Sequence, residues 1–301
     1  MIDYKKIFRS RAVRLRILSL LDFIPDKQMI ELQYWIKTGR KLNWKAPKRF
    51  SEKLQVYKIN YKNPDMVRCV DKYDVREYIE ECGLGEILNE CYGVFDSPEE
   101  TDFSVFPKSF VLKNTLGGGG NSVIIVEDKG KMDKAYVMSR LNDWVSNTHT
   151  SSGGREWPYY SGKKPRIIAE KYIESNEESG GLIDYKFFCF NGEAKYLYVI
   201  CDRALGKDGA FGIFDVNFNK LNYTRVGERP LTREIKKPDN FDEMISIAEK
   251  ISSKFPHARV DLYNNEGQII FGEVTFFSGS GYIQFDPDEF DFILGDCFKL
   301  S

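Results

Sequence analysis

Four consecutive glycines, Gly117 to Gly120, sit between two short apolar runs, Ser109 to Lys113 (SFVLK) and Ser122 to Val126 (SVIIV). Neither run is long enough for a helix and the glycines would break one, so the segment reads as strand, glycine loop, strand. Glycine has no Cβ and reaches positive φ freely, so the N–H groups of such a loop can converge on an anion, and phosphate is the natural one. The loop is not a Walker motif, because Asn121 stands where Lys and Ser or Thr belong, nor a dinucleotide fingerprint, because no helix begins there. A merely flexible hairpin is the alternative reading. Against it stands Lys113, which ends the first run within reach of phosphates held under the loop.

The pattern beyond the loop points to an α+β chain. Further strands are expected over Arg166 to Ile173, Asp184 to Phe190, Ala194 to Cys201, Phe211 to Asp215, Ala258 to Tyr263 and Gln268 to Thr275, with hairpin turns at Asn191-Gly192 and Asn264 to Gly267. Helices are expected over Asp71 to Cys82, Met132 to Val145 and Asp239 to Phe255, where Met244, Ile247, Ala248 and Ile251 fall at helical spacing. Short helices are expected between Lys27 and Lys62. With 301 residues, 42% hydrophobic and 30% charged, the chain exceeds one average domain and is too apolar for disorder. The polar stretch Ser146 to Lys164 is long enough to suspect a lid, and its Trp157, Tyr159 and Tyr160 suit either stacking on a sugar ring or packing back onto the domain.

A formal net charge of −1 gives no global attraction to nucleic acid. The charge is unevenly spread, however. Residues 1–62 carry 16 Lys and Arg against 5 Asp and Glu, and residues 63–301 carry 28 against 40. The basic stretch suits a solvated or partner-docking helix, or contact with a membrane surface, although its amphipathic pattern is weak. No run approaches the length of a spanning helix and no signal-peptide core is present. Six scattered cysteines without a C-x-x-C pair read as reduced thiols. His149 and His257, the only histidines, offer little to a metal site or a Ser-His-Asp triad and read as incidental.

The strongest constellation lies near residue 270. Asp261 ends one expected strand and Glu273 closes the next, so in a hairpin the two carboxylates face one side by period-two alternation. Mg²⁺ takes oxygen ligands, often one or two carboxylates with nucleotide phosphate filling other positions. The alternative is a surface ladder in which Arg259 neutralises one acid. Lys72 and Arg76, one helical turn apart, form either an anion clamp or a solvated ion-pair face with Asp71, Asp74 and Glu77.

In order and spacing the segments DKYDVREY (71–78), SFVLKNTLGGGGN (109–121), RIIAEKYI (166–173), DYKFFCFNGE (184–193), CDR (201–203), RVDLY (259–263) and FGEVTFFSGSG (271–281) resemble the ATP-grasp superfamily. With the lead-in TGRKLNWKAPKRFSEKL (38–54), they resemble its TupA-like family, associated with polysaccharide and teichuronopeptide biosynthesis. The resemblance covers most of the chain. It implies an ATP-grasp fold in which two α+β lobes clasp ATP: a basic helical segment over 1–66, then an ATP-grasp domain over 67–301, with a small lobe over about 104–173 and a large lobe over about 174–301. It implies that Lys113 contacts phosphates, that Gly117, Gly118, Gly119 and Gly120 close over them, and that Glu170 to Ile173 form a hinge where the backbone of Lys171 and Ile173 binds adenine. It places Asp184 on the ribose side, points Lys186 and Arg203 at the transferred phosphate, gives Mg²⁺ to Asp261 and Glu273, and makes Arg259 the stabiliser of an acyl-phosphate. Three departures stand out. Thr275 replaces a frequent Asn, the glycine loop lacks His, and the basic helical segment stands where a Rossmann-like domain is usual.

The implied activity is that of an ADP-forming carboxylate–amine ligase, joining an amino acid or peptide to a uronic acid or amino sugar in bacterial surface-polysaccharide assembly. The implied setting is cytoplasmic, peripheral at the inner face of the membrane where a lipid-linked glycan is met. A degenerate nucleotide-binding subunit docking on a glycosyltransferase or membrane, and a sugar kinase, are the alternatives.

Overall fold

The computed structural model describes residues 17–18, 20–118, 122–146, 154–175, 181–202 and 209–300, without the side chain of Tyr160. Gly119, Gly120, Arg203, His149 and the basic residues of 1–16 lie outside the described residues.

Two sheets organise the fold. The smaller has the order β1-β4-β2-β3, built from β1 (Cys91–Phe95), β2 (Phe110–Asn114), β3 (Val123–Val126) and β4 (Ile167–Lys171). All its pairings are antiparallel, with Lys113 opposite Val123 and Ile168. Phe110, Leu112, Ile167 and Ala169 point to one side and are buried against Phe103, Phe106, Leu141 and Trp144. β1 lies outside the expected strands and upstream of the expected start of the small lobe. Its five residues are all half-buried, so it lacks the alternation that marks a strand in sequence.

The larger sheet runs β11-β10-β5-β6-β7-β9, from β5 (Asp184–Phe190), β6 (Glu193–Cys201), β7 (Ala210–Asp215), β9 (Arg229–Pro230), β10 (His257–Asn265) and β11 (Gln268–Thr275). Every residue of β5 is buried, because helices cover both of its faces. On one face, α6 (Phe241–Ser252) lays Met244, Ala248 and Ile251 over Phe187 and Cys189. On the other, α2 (Phe50–Asn60) and α7 (Glu289–Cys297) pack Phe50 edge-on to Phe188 and Phe190. A further two-stranded pair joins β8 (Thr224–Arg225) to β12 (Phe285–Asp286).

The lead-in segment is therefore partly core. Phe50, Leu54 and Tyr57 recur at the four- and three-residue spacing of a helix face and are each at most 2% exposed. Asp291, far downstream, accepts bonds from the Ser51 backbone N–H (2.9 Å) and hydroxyl (2.7 Å), satisfying donors that the start of α2 leaves open. α1 (Asp26–Thr38) packs Ile30 and Tyr34 beside Tyr282. α3 (Pro64–Cys69) and α4 (Val75–Glu81) follow, α4 shorter than expected and closed by Gly83 at φ 65°. α5 (Lys134–Ser146) follows β3.

His257 belongs to the core as well. It is 0% exposed and stacked on Phe190, and its Nδ1 lies 2.9 Å from the Cys189 carbonyl. A carbonyl only accepts, so Nδ1 carries the hydrogen. Nε2 has no hydrogen-bond partner, and burial depresses the pKa to about 3.

Candidate active site

Strand register draws the polar residues of four strands into one row. Glu273 on β11 stands opposite Asp261 on β10, Asp261 opposite Lys186 on β5, and Lys186 opposite Tyr198 on β6. Directly paired residues project to the same face. Two residues along β5 and β10, Asp184 and Arg259 also project there.

These side chains form one network. Lys186 Nζ donates to Asp261 and lies 3.1 Å from Asp184 Oδ2. Arg259 grips Asp261 with two bonds, Nε to Oδ1 at 2.6 Å and Nη2 to Oδ2 at 2.7 Å. The same Nη2 reaches Glu273 Oε1 (2.9 Å) and Thr275 Oγ1 (3.0 Å), while the Thr275 hydroxyl donates to Glu273 at 3.1 Å. Burial works to raise the Glu273 pKa, yet Arg259, Lys186 and Lys72 outweigh it and hold the carboxyl at about 2. Burial likewise works against the Lys186 ammonium, and Asp184 with Asp261 overcomes it, so its pKa is raised. Lys186, Glu273 and Arg259 are therefore charged at neutral pH, while burial pushes the Asp261 carboxyl upward against the pull of Arg259 and Lys186.

A second cluster faces the first from the small sheet. Lys113 pairs with Glu170 at 2.5 Å, and Arg76 stands 3.9 Å from the same carboxylate. Lys72 donates through Nζ to the Gly117 carbonyl, and its backbone N–H bonds to Thr115 O at 2.9 Å. Burial lowers the Lys72 pKa, and Glu273 is the largest opposing charge. The segment carrying Lys72 thus fastens the start of the glycine loop and brings an ammonium towards the Glu273 side of the row. Gly117 is needed as glycine, because a Cβ there would fall 2.2 Å from the Ser122 side chain.

At the end of β4, the Lys171 N–H donates to Glu90 O (2.9 Å) and its carbonyl accepts from Asn89 Nδ2 (2.9 Å). Of its backbone groups, the carbonyl's second lone pair is what the fold leaves for a further partner. Ile173 lies two residues beyond β4, half-buried.

The sequence reading singled out Lys113, Glu170, Asp184, Lys186, Arg259, Asp261, Glu273 and Thr275, and the structure gathers these into the two facing clusters. For Lys72 and Arg76 the sequence admits either a clamp or a surface pairing; both turn inward, Arg76 also donating to Asn89 O at 2.9 Å. Ser278, 0% exposed and 3.4 Å from Arg259 Nη1, was not singled out. Only its place three residues after Thr275 could have pointed to it.

The donor set suits a hard cation carried with phosphates. Asp261, Glu273 and Thr275 offer oxygen only, which Mg²⁺ prefers. Among the described residues no group of three or more His, Cys, Asp or Glu forms a self-sufficient metal site, so two carboxylates leave positions for phosphate and water. Asp261 is 1% exposed but Glu273 keeps 44% of its side chain open, so a cation reaches the pair from the Glu273 side.

The model of the TupA-like ATP-grasp family matches residues 52–299. Similar solved structures include D-alanine–D-alanine ligase from Bacillus anthracis (20% identity, 69% of this chain and 57% of that chain, TM-score 0.42). The corresponding enzyme from Helicobacter pylori gives 15% identity, 81% and 62% coverage and a TM-score of 0.41. An L-amino acid ligase from Bacillus licheniformis gives 12%, 83%, 55% and 0.49. The chain spans 55–62% of the length of the first structures it matches. No curated protein matches it by sequence. With the family model spanning most of the chain over the same strands that build the site, the chain belongs to the TupA-like ATP-grasp family.

Proposed function

We propose that this chain is an ATP-dependent, Mg²⁺-requiring carboxylate–amine ligase, and that the row Glu273–Asp261–Lys186 with Arg259 across its end is the reaction centre. That row carries the proposal. It sets acids and cations within direct contact of one another, so that Lys186 and Arg259 would be placed to take phosphate oxygens and the carboxylates to hold a metal.

In the proposed reaction a carboxylate oxygen attacks the γ-phosphorus of ATP and ADP leaves. An amine nitrogen then adds to the acyl-phosphate carbonyl, and phosphate departs with the amine's proton. No protein nucleophile is needed, so the near absence of histidine is no obstacle. The chain supplies position and charge. Lys113 and Lys72 hold the phosphates beneath Gly117, Gly118, Gly119 and Gly120; Lys186 and Arg203 face the transferred group; Arg259 stabilises the acyl-phosphate. Asp184 lies towards the ribose, and the hinge from Glu170 to Ile173 lies towards adenine. Asp261, Glu273 and Thr275 would hold Mg²⁺, which would neutralise charge on the phosphates.

The small lobe proposed here runs from β1 to the end of the hinge, and the large lobe begins after it. The polysaccharide setting, joining an amino acid or peptide to a uronic acid or amino sugar, follows the family resemblance. Contact with a lipid-linked glycan at a membrane surface is supported by Leu20 (70% exposed) and Phe23 (82% exposed), which follow the basic stretch 1–16 in the sequence. Among the described residues no helix is long and apolar enough to cross a membrane.

Calorimetric titration of ATP into the chain, with and without Mg²⁺, tests the centre. Mg²⁺-dependent binding that E273Q and K113A each weaken about tenfold or more is expected. Absence of binding by the wild type refutes both ligase and kinase chemistry.

A further inference from the structure

The geometry points to the Tyr198 hydroxyl as a donor in an anion subsite for the acceptor, shared with Arg225 and Ser278 and suited to a carboxylate or its acyl-phosphate; this rests on the ligase reading above. Tyr198 extends the row of Glu273, Asp261 and Lys186 by one strand and so shares their face. Its ring is fixed against Phe188 and Phe211, each with centroids 4.5 Å away. The residue is 1% exposed, yet its hydroxyl has no hydrogen-bond partner. Buried phenols ordinarily find one, and a donor left open at this depth is available to a ligand atom. Burial raises its pKa, so it remains a protonated donor through neutral pH.

The surroundings select for negative charge. Among the charges acting on the phenol, those of Arg225 and Arg259 are the strongest, with Asp291 and Glu228 acting more weakly in the opposite sense. Arg259 Nη1 lies 3.4 Å from Ser278 Oγ. Arg225 meets Glu228 through a single contact of 3.4 Å, and its Nη2 lies 3.9 Å from where a Cβ on Gly279 would be. Gly279 belongs to the turn Ser278–Gly281, in which Gly279 and Ser280 hold φ of 54° and 55°. On the same face the Lys186 and Arg259 side chains each keep 11% of their surface exposed, and Glu273 keeps 44%. In the reaction, Tyr198 donates to the carboxylate oxygen that does not attack phosphorus. It keeps its proton while that oxygen passes through the tetrahedral oxyanion after amine addition.

Y198F removes this donor while keeping the ring. Because the free protein makes no bond with the hydroxyl, Y198F melts at the wild-type temperature or above it. Acetyl phosphate is the probe, titrated calorimetrically into wild type and Y198F, each with and without MgADP. Binding about ten- to hundredfold weaker in Y198F is expected, with ADP affinity unchanged; R225Q, altered at a part-exposed position, weakens acetyl phosphate in the same sense. Equal affinity in wild type and Y198F, no acetyl phosphate binding by wild type, or a lowered melting temperature in Y198F overturns the proposal. Failure to bind ADP refutes the nucleotide reading alone, because the nucleotide-free titration still reads the subsite.

Discussion

Replacing His257 with Phe separates the one described histidine's contribution to stability from any part in chemistry. The imidazole is enclosed by Phe50, Phe188, Phe190 and Phe298, with no carboxylate beside it, and its pKa falls from 6.5 to about 3. As pH drops below 6.5, the unfolded chain binds a proton that the folded chain refuses until about pH 3. Stability is therefore withdrawn through that window, by about 1.4 kcal/mol per pH unit and by about 5 kcal/mol in full. H257F loses the bond to Cys189 O, a cost of about 1 kcal/mol at pH 7, but it has no proton to take up. Urea midpoints between pH 5 and pH 7.5 read the difference. The wild type starts the more stable and loses about 2 kcal/mol from this source by pH 5, so the order of the two proteins reverses. ATP binding is the same in both. Parallel pH curves would refute the reasoning, and lost binding at equal stability would assign His257 to the site.

Lys58 reports with the same sign at alkaline pH. Burial lowers it to about 7, with its Nζ donating to Gln55 Oε1 (2.9 Å) and Ser280 O (3.0 Å). Between about pH 7 and 10.5 the unfolded chain holds the extra proton, so stability rises with pH; K58M removes the rise and is the more stable protein at pH 6 by about 1–3 kcal/mol, measured by denaturant midpoints. K72A is expected to weaken MgATP about ten- to hundredfold in calorimetry with little change in melting temperature. Unchanged affinity would leave Lys72 as a strut for the Gly117 carbonyl and nothing more.

The candidate site was readable because its geometry is that of a hairpin. Once Arg259 to Tyr263 and Phe271 to Thr275 are paired strands, Asp261 must face Glu273, and the structure realises this even with a register shift between Asp261 and Leu262. Lys113 was legible for a similar reason, as the end of a strand entering a glycine loop. Lys72 was not, since helical spacing says which residues share a face and nothing about what that face meets. Tyr198 was invisible: β6 reads as an aromatic-rich strand, and a hydroxyl without a partner is a property of three dimensions. β1 escaped because it is short and half-buried throughout. Its pairing with β4 makes it a strand, through contacts about 75 residues apart in sequence.

The grip on α2 has a consequence for how the protein is made. Ser51 bonds to Asp291, Arg40 and Arg49 pair with Asp288, and Lys53 donates to the carbonyls of Gly295 and Phe298. From its other side Gln55 reaches the carbonyls of Ser280 and Gly281, in the turn beside Arg259. An early helix thus finds its anchors only after some 240 further residues have left the ribosome. The helix that supports the turn beside Arg259 is itself held by the far end of the described chain, and a chain cut short of α7 would leave that turn with a looser neighbour.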